Sequence, residues 1–64
     1  MRSQILIKIT ANDGWFEIGE IFWIEWDGLA WRSATETKNR LAGTSVQYTK
    51  YKKLNKTLYP EYFL

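Results

Sequence analysis

A chain of 64 residues with a net charge of +2 and neither cysteine nor histidine leaves room for one small domain and removes several classes at once. Disulfide staples and structural zinc lack their ligands, and no apolar run approaches the length needed to span a bilayer. Enzymatic activity is not expected, since there is no glycine-rich phosphate loop, nucleophile elbow or metal-ligand spacing, and no cofactor is implied.

A domain of this size buries only about 60% of the surface its unfolded chain exposes, so its stability margin is thin. Four Trp, four Tyr and three Phe supply much buried area per ordered residue. Self-association into a homo-oligomer is a second source. Absence of cysteine fits a reducing compartment. Lys8 interrupts the apolar run of the first ten residues, so they do not read as a secretion signal, and a cytoplasmic protein is the expectation.

Residues 1–64 are read as a single β domain. Gln4 to Thr10 is the first strand, with Ile5, Ile7 and Ile9 inward and Leu6 and Lys8 on the other side. Ala11-Asn12-Asp13-Gly14 is a turn, because Asn and Asp side chains close on nearby backbone and glycine tolerates positive φ. Trp15 to Ile18 forms a second extended piece, and Gly19-Glu20 a bend or bulge, since alternation continued through it would turn Glu20 inward. The central strand runs through Ile21-Phe22-Trp23-Ile24-Glu25-Trp26. Phe22, Ile24 and Trp26 share one face and Ile21, Trp23 and Glu25 the other, so aromatics lie on both sides and both need cover. Asp27-Gly28 supplies left-handed dihedrals for a tight hairpin, and Leu29-Ala30-Trp31 begins the return.

Beyond Trp31 two readings stand. Ser33-Ala34-Thr35-Glu36 has the spacing of a capping box and Gly43 a place to stop a helix, which gives a short helix near 34–42; alternatively the Trp31 strand runs on to Thr37. Thr44 to Tyr51 alternates as a further strand. Lys52-Lys53-Leu54-Asn55-Lys56 is a loop or helical turn anchored by Leu54. The tail from Leu58 is too apolar to be frayed, and Pro60 makes it an edge strand or a docked extended segment.

These pieces resemble an SH3-like small β-barrel. Phe16-Glu17-Ile18-Gly19-Glu20 leads into the strand ending at Trp26, Asp27-Gly28 is followed by Trp31, and Pro60 is followed three residues on by Phe63. Ile5 to Thr10 stands where the family carries tyrosines, and the span from Trp31 to Pro60 is longer than the family's. The resemblance implies a five-stranded barrel, and Trp31, Pro60 and Phe63 as the lining of a groove for extended, proline-rich peptide.

Charge is segregated along the chain. Residues 11–31 hold Asp13, Glu17, Glu20, Glu25 and Asp27 and no base, whereas residues 32–56 hold Arg32, Lys38, Arg40, Lys50, Lys52, Lys53 and Lys56 against Glu36. Tyr48 and Tyr51 interleave with the lysines. Lysines displace counterions from a phosphate backbone and tyrosines give bases a face to stack on, so Tyr48 to Lys56, widened by Arg32, Lys38 and Arg40, is a candidate nucleic-acid site. The plainer reading is an edge strand whose lysines discourage aggregation, with Tyr48 in the core. The alternative site is for a partner protein, in an adaptor or inhibitor that docks through Ile21, Trp23, Trp31, Tyr59, Pro60, Tyr62 and Phe63. Against it stands simple cover of Trp23 by the tail. Glu17, Glu20, Glu25 and Asp27 match no ion-binding loop and read as solvated acids.

Overall fold

The structure, a computed structural model, describes residues 3–63; Leu64, the last residue of the apolar tail, lies outside them. Four strands, β1 (Gln4–Ile9), β2 (Ile21–Trp26), β3 (Trp31–Ser33) and β4 (Tyr51–Lys53), form one antiparallel sheet in the order β3-β2-β1-β4. The chain is all-β. The alternation of β1 and β2 fixes their register, which sets Ile5 opposite Ile24, Leu6 opposite Trp23 and Ile7 opposite Phe22. A slip of one residue would turn every isoleucine of β1 to the wrong face.

On the inner face Ile7, Ile9, Phe22 and Ile24 pack with Phe16 and Val46, which arrive from outside the strands. Phe16 stacks on Phe22 with ring centroids 5.3 Å apart. Ile5, Trp31 and Tyr51 close the margins of this core. Leu6 points to the other face and is also buried, because Leu54 and the C-terminal segment fold over it: the Leu54 amide donates to the Leu6 carbonyl (2.8 Å), and Phe63 packs edge-on against Trp23 at 5.0 Å. The cover that the two-sided central strand demanded is thus supplied from within, by the tail.

Several expectations need correction. The five-stranded closed barrel is not formed: the sheet has four strands and stays open, since Thr44 to Tyr51 does not make a continuous strand. That segment touches β3 at an Arg32–Ser45 bridge, turns where the Thr49 amide donates to the Val46 carbonyl, and meets the end of β1 only at its last two residues, where the Lys50 carbonyl accepts from the Thr10 amide and Tyr51 pairs with Ile9. Tyr48, which the plainer reading put in the core, is 88% exposed on that turn.

No helix occupies residues 34–42, and the strand does not run on to Thr37. Ser33 is the last residue of β3, and its hydroxyl is spent across the loop on the Leu41 carbonyl and the Thr44 amide, so it cannot cap a helix. Residues 15–18 hold no strand either. The Asp13 carboxylate draws the amides of Trp15 and Phe16 into a turn at 2.8 and 2.9 Å. Lys52 and Lys53 are strand rather than loop. The Pro60 tail is a docked 3-10 turn, Pro60–Tyr62, rather than an edge strand or an extended segment.

The β2–β3 hairpin also differs in detail. Trp26 pairs with Trp31 across a four-residue loop, and the positive φ is confined to Gly28 (+99°). Asp27 acts through its side chain, with Oδ1 accepting from the amides of Leu29 and Ala30, each at 2.8 Å. Leu29 is left 88% exposed at the tip.

Candidate functional site

The seven basic residues after β2 divide into two groups. Arg32 donates from Nε to Asp27 Oδ2 at 2.6 Å and from Nη1 to the Gly43 carbonyl at 3.1 Å, so it braces the hairpin against the 34–44 loop. Lys38 pairs with Glu17 at 2.7 Å, which raises its pKa, first through the hydrogen bond and then through the carboxylate's charge; its amide donates to Glu20 Oε1. Arg40 lays its guanidinium over the Trp15 ring, 4.6 Å from the centroid. Asp27 lies only five residues before Arg32, whereas Glu17 and Trp15 are far upstream of Lys38 and Arg40.

Lys50, just before β4, Lys52 and Lys53 on it, and Lys56 in the turn after it stay together. They gain a neighbour that sequence reading missed: Lys8 of β1 stands directly opposite Lys52. Like charges facing one another across a ladder repel. Among the described residues none of these five ammonium groups has an ion pair with an acid. Lys53 stands opposite Ile7 and Lys52 opposite Lys8, so successive lysines flank the strand on its two faces. The parity of Lys8 was the signal, since it falls on the outer side of β1.

An aromatic groove opens at the Lys50 end of this strip. Trp26, Trp31 and Tyr51, with Gln47, Thr49 and Lys50, line a cleft of about 520 Å³. Trp26 and Trp31 are tilted neighbours at 5.5 Å, and Trp26 is 41% exposed. Sequence reading sent Trp26 to the core and Trp31 to a peptide groove. Their equal distance from the Asp27–Ala30 loop marks them as a cross-strand pair.

The residues of the alternative protein-docking site fall on two faces. Ile21 and Trp23 project outward from β2, and Tyr62 joins them along a second cleft. Phe63 lies on Trp23, and Tyr59 sits 6.4 Å from Tyr62. Pro60 opens the 3-10 turn. Trp31 packs against the inner core, so it is not brought to the same groove as Pro60 and Phe63.

The acids do not converge. Glu20 accepts from the Glu17 amide, Glu25 accepts from the Gln4 amide group, and Asp27 serves its own loop. Asp27 is held down at about 2, chiefly by the Ala30 amide and next by the Arg32 side chain. Asp13 is also lowered, by the Phe16 amide first and the Thr49 hydroxyl next. Among the described residues no group of three or more acids is placed to hold a metal ion, and no helix is long and apolar enough to cross a membrane. Comparison with known protein families, with characterised proteins and with solved structures yields no match.

Proposed function

We propose that this is a non-enzymatic, cytoplasmic protein that binds nucleic acid, largely without sequence preference, along β4. The observation that carries the reading is the facing pair Lys8 and Lys52, joined by Lys50, Lys53 and Lys56, with no acid among the described residues to neutralise them. A fold with a thin stability margin keeps an uncompensated like-charge pair at a cost. A polyphosphate laid along the strand removes that repulsion and releases its own counterions. Arg32 and Lys38, already paired, are not part of the proposed contact.

Lys50, Lys52, Lys53 and Lys56 changed together to Glu should abolish binding of a short oligonucleotide while leaving the fold intact, because all four are exposed. For the native protein the logarithm of affinity should fall with the logarithm of salt at a slope of about −3, the value for four or so single-strand phosphates neutralised. No binding at low salt would overturn the reading.

A second reading rests on the outer aromatic face, where Tyr62 and Phe63 remain partly exposed over Trp23. There the protein is an adaptor or inhibitor docking on another protein. Binding to that partner would be insensitive to the β4 charge reversal and lost on Tyr62→Ala.

A further inference from the structure

We infer that the nucleic acid is taken as a single strand, with bases stacked in two clefts that share the segment from Gln47 to Thr49 as their common wall; this rests on the nucleic-acid reading above. The first is the Trp26–Trp31–Tyr51 groove. The second, of about 380 Å³, lies on the other side of the segment and is lined by Asp13, Trp15, Gln47, Tyr48 and Thr49. Both volumes fall in the range of about 300–1,000 Å³ usual for small-ligand sites.

Three features favour bases as the occupants. Each cleft carries exposed aromatic surface that the core does not use: Trp26 in one, and in the other Trp15, 48% exposed, with Tyr48. In a domain short of buried area, leaving such rings outside forfeits stabilisation. Each cleft also has a cation at hand. Lys50 lines the first, and Arg40, stacked on Trp15, stands beside the second. Finally, the amide side chain of Gln47 borders both clefts, and Gln47 is exposed, so it is placed to meet the polar edge of a base on either side. Alternation of aromatic faces with cations along a groove suits unpaired bases on a continuous backbone. In a duplex those faces are covered by their neighbours.

The test compares a short oligothymidine, a duplex of the same length and inorganic polyphosphate, each titrated against the native protein, Trp26→Ala and Tyr48→Ala. Tyr48 touches no part of the core, so its removal reads binding rather than folding. Expected results are preference for the single strand over the duplex, quenching of tryptophan emission by oligothymidine but not by polyphosphate, and a loss of about 5- to 150-fold in oligothymidine affinity for Tyr48→Ala. Polyphosphate affinity should be unchanged in that variant. Equal affinity for single strand and duplex, or an unaltered Tyr48→Ala, would overturn the base slots while leaving the lysine contact standing. Failure of the native protein to bind any of the three at low salt would remove the reading beneath them.

Discussion

Thr49 donates its hydroxyl to Asp13 Oδ2 at 2.7 Å, and this one bond joins two turns that lie 36 residues apart in the chain. Asp13 already organises its own turn through Oδ1, so a single carboxylate holds both walls of the Trp15–Tyr48 cleft. Thr49→Val keeps the shape and deletes the donor. It should cost about 1 kcal/mol in urea unfolding, the scale of one hydrogen bond to an exposed charged group, and the Asp13 carboxyl should titrate closer to its ordinary range when followed by NMR.

Asp27 gives the fold an acid dependence of known sign. Its pKa of about 2 in the folded state lies below the ordinary 3.8, so the charged form contributes stability that is complete above about pH 4 and is lost as pH falls toward 2. Asp27→Asn retains an acceptor for the Leu29 and Ala30 amides but surrenders the charge that Arg32 and those amides favour. Native protein should melt above Asp27→Asn at neutral pH, and the two melting curves should converge below about pH 2.

Gly28 is a backbone requirement rather than a packing one. At φ +99° a side chain is strained, although a Cβ there would meet open space. Gly28→Ala should therefore destabilise by about 1 kcal/mol without altering the structure elsewhere, which denaturant melts together with unchanged amide shifts in β1 would show.

Phe63 covers Trp23, and the edge-to-face geometry of the pair contributes about 0.5–1.5 kcal/mol beyond area burial. Phe63→Ala should lower stability by at least that amount and shift tryptophan emission to longer wavelength. Trp23→Ala should be worse, because Leu6 beneath loses its cover as well.

How much of this was legible in the sequence depended on how local the cause was. β1 and β2 were readable nearly to the residue, because two-residue alternation reports strand faces directly. Gly43 has the positive φ that a helix stop uses, yet it ends a loop, because the fate of Ser33 is decided by Leu41 and Thr44 and not by Glu36 three residues on. Lys52 and Lys53 read as loop because two adjacent lysines carry no alternation; their pairing with Lys8 and Ile7 imposes extension. The same distinction runs through the candidate site. Four lysines near one another in sequence remain neighbours, whereas Arg32, Lys38 and Arg40 are claimed by Asp27, Glu17 and Trp15, partners that composition counts but cannot assign.

β4 is bonded on one side only, to β1, so its other row of amides and carbonyls faces outward among the described strands. A second molecule could extend the sheet there, and mutual repulsion between two lysine-rich rims keeps copies apart. A bound polyanion cancels that repulsion. Saturated complexes should therefore be more prone than the free protein to grow into ribbons, and adding salt to the free protein should reproduce the tendency.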